Sequence, residues 1–334
     1  VSGYINNPKM FERSFPTALR PQGKEIVRTW LYYTMLKSAL LFDKPAFSNV
    51  WIDGLGMDPW GRKMSKSLGN GIDADSVLEC GAGGRTGSWK IRGPEGKQIN
   101  LKANKIGSEC FRLWKACEAQ VGDDFHINPE EIESKYFGVL TKIFNVARFA
   151  SQFDVPKDLD SLPEDIPNED LWILSVFDEM MVNVRESWEN MDIYNATQSI
   201  KGFATGVFPG HWLEMSKTRL YDEDVAATWT LHRIVRDVLV VFSPVCPFFT
   251  DYLSSTIYGS SSVDVRSYPM KVFSDQNKSN DFLSKTEPLV EFNSLIWKTK
   301  KEQGLSLKSE IEGITIPPIL IDFKDALISM HNLL

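Results

Sequence analysis

The 334-residue chain carries 37 Lys plus Arg, 44 Asp plus Glu and 43% hydrophobic residues. That is enough apolar side chain to bury the cores of two or three domains, and it excludes a disordered or fibrous chain. The net charge of −7 argues against a surface built for nonspecific DNA binding, but the charge is uneven. Residues 1–122 hold 18 basic and 11 acidic side chains, a balance of +7, whereas residues 123–334 balance at −14, so phosphate is to be sought in the first third.

The chain opens Val1-Ser2-Gly3-Tyr4, with neither a Met nor a basic segment leading into an apolar one, and reads as cut from something longer. Thr17-Ala18-Leu19-Arg20 reads as a short strand and Glu25 to Leu41 as a helix. Phe47 to Ile52 reads as a second strand ending at Asp53-Gly54. Strand, helix, strand predicts a parallel α/β unit. A turn-rich segment follows from Gly54 to Asn70, then a basic, Gly-rich stretch from Gly81 to Lys105 that reads as an excursion or insertion.

From residue 107 the pattern is helical. Asn128-Pro129-Glu130-Glu131 combines a capping side chain, Pro at the first helical position and acids facing the positive end of the macrodipole. Ile132, Tyr136, Leu140, Ile143 and Ala147 then make an apolar stripe. Further helices are expected at Asn168–Met191, Tyr194–Phe208, Asp222–Phe242, Pro247–Tyr258 and Glu287–Glu302, which is a bundle. Ser260 to Asn280 reads as a linker, and Glu312–Ile316 as a strand before a helix over Phe323–Leu333, a small α/β tail. Cys80, Cys110, Cys117 and Cys246 show no C-x-x-C spacing, which predicts a reducing compartment and no zinc. The longest apolar run, Val238 to Phe249, is broken by Ser243, Pro244 and Pro247 and is too short for a bilayer, so a soluble protein is expected.

Chemistry concentrates at Gly61-Arg62-Lys63-Met64-Ser65-Lys66-Ser67-Leu68-Gly69-Asn70. Two lysines three apart on a small, hydroxyl-rich loop can bring compact charges to a polyphosphate, while hydroxyl and backbone N–H groups add donors. During attack at an α-phosphorus, charge builds on the departing phosphates, so ammonium groups that engage there speed the step. A basic loop of this composition is otherwise solvated surface.

Lys63-Met64-Ser65-Lys66-Ser67, with Gly61 before it and Leu68-Gly69-Asn70 after it, resembles the KMSKS signature of class I aminoacyl-tRNA synthetases. The resemblance implies a loop that binds ATP and stabilises the transition state of amino-acid activation, with Lys66 most directly on the phosphates. Lys63 is the supporting cation, Ser65 and Ser67 are the hydroxyl members, and Met64 is the anchor. Upstream, Arg20-Pro21-Gln22-Gly23-Lys24-Glu25-Ile26-Val27-Arg28-Thr29-Trp30 places Ile26 and Trp30 at i and i+4, either as ordinary core or as the walls of a small apolar pocket. The string resembles the P-Q-G-x-D-I-x-R-T-W pattern of valyl-type synthetases, which implies that Ile26 and Trp30 line an amino-acid pocket and that Gly23 and Glu25 adjoin ATP. Glu25 stands where Asp is usual and Lys24 where His is common. Ile106-Gly107-Ser108-Glu109-Cys110-Phe111-Arg112 is similar to a G-A-D-A-[VL]-R segment displaced by the basic insertion, which reads as a surface loop or a contact to the tRNA acceptor arm.

Lys142 to Phe149 and Phe242 to Phe249 are similar to segments of the family's anticodon-binding bundle, and Trp297 to Leu307 to a segment near the C-terminus of archaeal-type valyl enzymes. The expected organisation is α/β followed by mainly α: residues 1–122 as the last part of a Rossmann-like catalytic core, 123–268 as an anticodon-binding bundle and 269–334 as a helix and small tail. The resemblance implies activation of valine with ATP, Mg²⁺ held largely by the phosphates with no protein-bound metal, and transfer to tRNA(Val). A cytoplasmic monomer with neither membrane nor DNA as partner is expected. Arg233 and Arg236, Lys217 and Arg219, and Lys298 with Lys300 and Lys301 read either as phosphate contacts or as solvated and salt-bridged cations. His126, His211, His232 and His331 form no H-I-G-H-like string, so the piece alone is expected to be inactive. An isoleucyl-type fragment and a non-catalytic tRNA-binding paralogue are the alternatives.

Overall fold

In a computed structural model of the chain, residues 4–81, 84–259, 262–263, 266–272 and 275–334 are described. They fall in two compact units, Val1–Ser134 and Lys135–Leu334.

The first unit begins with helix α1 (Pro8–Ser14), capped by the Asn7 side chain on the Met10 N–H, and strand β1 (Thr17–Gly23). The chain then turns through a 3-10 segment, Lys24–Ile26, and a π segment, Val27–Leu31, into α2 (Tyr32–Phe42), so the expected helix forms with a widened first half. Strand β2 (Phe47–Asp53) lies parallel to β1, with Gly23 opposite Asp53 at their carboxyl ends. It runs on through Gly54 and Leu55 into β3 (Gly56–Met57), and after the Gly61–Asn70 loop comes α3 (Ala74–Glu79), capped by Asp73.

Within the Gly-rich stretch, expected as an excursion or insertion, residues 87–103 form a β-hairpin. Strands β4 (Gly87–Arg92) and β5 (Gln98–Ala103) pair antiparallel, and β4 alternates buried Gly87, Trp89 and Ile91 with exposed neighbours. This is the period-2 pattern of a half-buried strand. Helix α4 (Gly107–Glu118) buries Cys110, Leu113, Trp114 and Cys117, and β6 (Phe125–His126) returns parallel to β3. Helix α5 (Pro129–Ile132) starts on the Asn128 side chain as expected.

The second unit is a helix bundle: α6 (Gly138–Ala150), α7 (Asn168–Glu189), α8 (Ile193–Gly202), α9 (Leu213–Tyr221), α10 (Val225–Phe242), α11 (Pro247–Tyr258), α12 (Gln276–Ser284), α13 (Thr286–Glu302) and α14 (Lys324–His331). Every member of the predicted stripe from Ile132 to Ala147 is buried. A π segment, Phe203–Trp212, joins α8 to α9, so the helix expected to stop at Phe208 continues to Tyr221 past Pro209. Proline has no N–H to give and crowds the carbonyl four residues back, and the wider π turn relieves both. Its rings supply core: Phe203 and Phe208 stack at 5.6 Å, and Phe208 and Trp212 at 5.3 Å.

Two expectations are corrected here. The 260–280 linker ends inside helix α12, which Asp275 caps, while residues 260–261, 264–265 and 273–274 lie outside the described part. Residues 312–316 form no strand: Gly313 has φ +76°, and only Ile311 makes a bridge, to Leu333. The tail is instead packed into the bundle, with Leu320, Phe323 and Leu327 buried and Phe323 against Trp172 and Phe282. Among the described residues no helix is long and apolar enough to cross a membrane.

Candidate functional site

In parallel α/β units, ligands sit where strands end, because helix N-termini and loops with free backbone donors meet there. Three loops of the first unit leave the carboxyl ends of parallel strands: Gly23 to Trp30 after β1, Asp53-Gly54 after β2 and the Gly61–Asn70 loop after β3.

The last of these loops is built on a buried aspartate. Asp58 is fully buried, and its Oδ1 accepts from the Trp60 and Arg62 N–H groups while Oδ2 accepts from Arg62 Nε at 2.7 Å and Asn70 Nδ2 at 2.9 Å. Burial pushes its pKa up, but the donors from Asn70 and Arg62, followed by Trp60, outweigh it and hold the carboxyl below its ordinary value. Asn70, also fully buried, spans the loop by donating to Lys63 O and accepting from Ser65 N at 2.9 Å. The Ser65 and Ser67 hydroxyls lie 3.1 Å apart, and Ser65 Oγ accepts from Leu68 N. Gly61 and Gly69 close the two ends at φ +78° and +61°, the left-handed region where a side chain is strained.

Met64 is half-buried against β3. Its methyl lies 3.2 Å from where a Cβ on Gly56 would stand, a space shared with Ile127 and Phe125. Lys63 and Lys66 are exposed and, among the described residues, have no ion-pair partner. The scaffold therefore consumes the polar side chains of the loop and leaves its two ammonium groups to solvent.

At the β1 end, the Glu25 carboxylate folds over Gly23, where a Cβ would meet its Oε2 at 2.4 Å. Lys24 pairs with Asp124 at 2.7 Å, and Lys115 with Asp53 at 2.9 Å. Trp30 is 40% exposed, which overturns its reading as core. Its ring stacks on Phe47 at 6.1 Å, and the Arg20 guanidinium lies 3.9 Å over it. Ile26 is half-buried one turn before. No hydrogen bond or ion pair joins this group to the Lys63–Ser67 loop among the described residues.

Sequence reasoning passed over Asp58, and it quoted Arg62 and Asn70 without giving them a role. The signal was an acid three residues before a glycine and an amide closing the same turn. His126, weighed only as a member of an H-I-G-H-like string, has its ring beside Gly61.

The cations proposed for tRNA divide sharply. Arg233 is 3% exposed and bonded to Leu159 O and Met270 O as well as ion-paired with Asp237, so it cannot reach a phosphate. Lys300 is fully buried on the carbonyls of Leu307 and His331, and Arg219 is committed to Glu169, Asp170 and Asp224. Arg236 pairs with Asp237 and Asp160, yet lines a cavity of about 480 Å³ with Arg266 and Lys271. Lys298 is open, and among the described residues its one ion pair is a 3.9 Å approach to Glu302.

Known protein families match both parts of the chain. Residues 2–128 match the family model for class I tRNA synthetases (I, L, M and V), and residues 170–315 match the anticodon-binding domain of tRNA ligases. Both matched stretches are therefore of the class I aminoacyl-tRNA synthetase type. The chain is similar to valine–tRNA ligases, at 31% identity to that of Aeropyrum pernix over 95% of this chain and 36% of the relative. It is 32% identical to that of Nanoarchaeum equitans over 94% of this chain and 37% of the relative. The chain thus spans about a third of the length of these relatives.

Two solved structures share the fold. The agnB2 LeuRS of Agrobacterium radiobacter K84, in a ternary complex with tRNA and LeuAMS, has a TM-score of 0.56 at 16% identity, covering 79% of this chain and 29% of that one. The methionyl-tRNA synthetase of Mycobacterium tuberculosis bound by methionyl-adenylate has a TM-score of 0.54 at 19% identity, covering 82% and 52%.

Proposed function

We propose that the chain is the later portion of a valine–tRNA ligase, and that its Lys63–Ser67 loop takes the β- and γ-phosphates of ATP while valine displaces pyrophosphate. The observation that carries this reading is the loop itself: a KMSKS string whose lysines are unpaired among the described residues and whose backbone at Lys63 and Ser65 is held by Asn70, itself bonded to Asp58. In that role Lys66 meets the charge that develops on the leaving phosphates, Lys63 assists it, and Ser65 and Ser67 donate from the loop.

Gly23 and Glu25 would adjoin the nucleotide, with the Glu25 carboxylate accepting from a ribose hydroxyl. Half-buried Ile26 and the Trp30 ring would bound the valine side chain. Mg²⁺ arriving with ATP would be held largely by its phosphates. The bundle would receive tRNA(Val) through cations still open to solvent, Lys298 and the Arg236 cavity edge. In functional terms residues 1–122 would serve catalysis, 123–268 the anticodon and 269–334 would close the bundle.

The test is valine-dependent ATP–pyrophosphate exchange by the complete reading frame containing this chain. Lys66→Ala is expected to lower the rate by about 100-fold or more, the scale of losing one charge that acts in the transition state. Exchange that prefers isoleucine, or that survives Lys66→Ala, would overturn the reading. The 334-residue chain alone is expected to give no exchange.

A further inference from the structure

We propose that the β4–β5 hairpin is a strut that sets the position of the Lys63–Ser67 loop, with Arg62 as the positioning residue between them. The inference rests on the reading of that loop as the ATP-phosphate loop.

Arg62 divides its guanidinium between the two bodies. On the loop side Nε donates to Asp58 Oδ2 at 2.7 Å, and on the hairpin side Nη1 donates to Gly93 O at 3.1 Å and Nη2 to Arg92 O. A second link runs the other way, from the Arg92 N–H to Gly69 O at 2.9 Å. The end of β4 is thus bonded to the start of the loop through Arg62 and to its end through Gly69. Between these two ties lie the two unpaired lysines.

A strut must itself be fixed, because a lone two-stranded hairpin is marginal in water. This one is fixed from behind. Glu130 Oε1 accepts from Lys102 N at 3.1 Å, and Glu133 Oε2 accepts from Asn104 N at 2.6 Å, which ties the outer strand β5 to the helical turn at α5. Cys80 Sγ donates to Ala103 O, and Trp89, Ile91, Leu101 and Ala103 are buried. The chain of contacts therefore runs from α5 through the hairpin to Arg62, then to Asp58 and Asn70, and so to the backbone of Lys63 and Ser65.

Arg62 suits this role because one planar fork meets a carboxylate and two carbonyls at once, which a single ammonium cannot do. A loop that acts by presenting charge to a transition state gains from being held in place beforehand. Releasing it should lower turnover more than ATP binding.

Amide exchange in the 334-residue chain and kinetics in the complete reading frame test the proposal together. In Arg62→Ala the amides of Ser65, Leu68, Gly69 and Arg92 are expected to exchange about tenfold faster, while β1 and β2 stay as in the unaltered chain. By active-site titration, kcat for pyrophosphate exchange should fall about tenfold with KM for ATP within about twofold, and Arg62→Lys should recover part of the loss. Unchanged loop exchange, or unchanged kcat per active site, overturns the strut. Should Arg62→Ala not fold, Arg62→Lys decides alone: loop exchange equal to that of the unaltered chain refutes the proposal. Lys66→Ala is run in parallel. Activity that survives it condemns the ATP reading of the loop, whereas loss there with unaltered loop exchange in the Arg62 variants condemns only the strut.

Discussion

Arg219 shows how a cation that reads as a phosphate contact from sequence can be structural. It stands near the end of α9, where a basic residue favours the helix dipole, but its guanidinium meets Asp170 at 2.8 Å, Glu169 at 2.9 Å and Asp224 at 2.9 Å. Asp170 is fully buried and also accepts from Trp212 Nε1. The local string shows only Asp224 of its three partners, because the other two lie about 50 residues away. Arg219→Ala leaves a buried carboxylate without its counter-charge and is expected to destabilise the bundle by about 3–5 kcal/mol. Chemical denaturation checks this, and a cost below about 1 kcal/mol would count against it. His331 makes a second residue-scale case. Its Nε2 lies 2.8 Å from Asn293 Oδ1, Asn293 Nδ2 lies 3.0 Å from His211 Nδ1, and burial, with Lys300 and His211 adding, pushes its pKa from 6.5 down to about 4. Between those values the unfolded chain binds a proton that the folded chain does not. The stability His331 contributes is therefore complete above pH 6.5 and lost as pH falls toward 4, by up to about 3 kcal/mol. Its imidazole protons should not titrate above about pH 5, and His331→Gln should flatten the fall of the bundle's melting temperature between pH 7 and 5.

Elements were legible wherever local periodicity and burial coincide. The pairing of β1 with β2, the capped start at Asn128 and the exact span Pro247–Tyr258 all follow from short-range patterns. So does the loop string, whose chemistry needs only its own residues. What escaped depended on partners distant in sequence or on helix irregularities that no composition marks. The π segments at Val27–Leu31 and Phe203–Trp212 are of this kind. So is the tail, where residues 312–316, read as a strand, find no pairing partner and Phe323 beyond them docks on Trp172. The hairpin is a different miss. Ser88-Trp89-Lys90-Ile91-Arg92 alternates cleanly and Pro94-Glu95-Gly96 is turn chemistry, but the surrounding glycines and charge hid both. Because Ile91 is almost fully buried in a small two-stranded element, Ile91→Ala is expected to cost the first unit about 2–5 kcal/mol. Urea denaturation of the 334-residue chain, followed by exchange of β4 amides, measures it.

At the scale of the whole molecule, the charge contrast that first located phosphate is partly internal compensation. The first unit extends to Ser134, so Asp123, Asp124, Glu130, Glu131 and Glu133 belong to it and bring its acids to 16 against 18 basic side chains. Asp124 answers Lys24, while Glu130 accepts from the backbone of β5 and Glu133 from Asn104 just after it, so the unit's balance falls to +2. The two units also differ in how fully each closes its own core. The bundle buries Trp172, Trp212, Phe177, Phe208 and Phe242 almost completely. The first unit has β1 and β2 as a two-stranded sheet in which both are edges, and α2 leaves Tyr32, Tyr33, Leu36, Leu40 and Leu41 exposed, Leu40 at 77%. An apolar face of that extent binds hydrophobic dyes, and free strand edges open easily to proteases. Limited proteolysis of the 334-residue chain is therefore expected to cut first within residues 1–134 and leave a resistant core from about residue 135. ANS fluorescence should rise with the intact chain and fall to background for residues 135–334 expressed alone, which should still unfold cooperatively. Equal digestion of both units, or dye binding that stays with the isolated bundle, would show that the apolar surface has been assigned to the wrong unit.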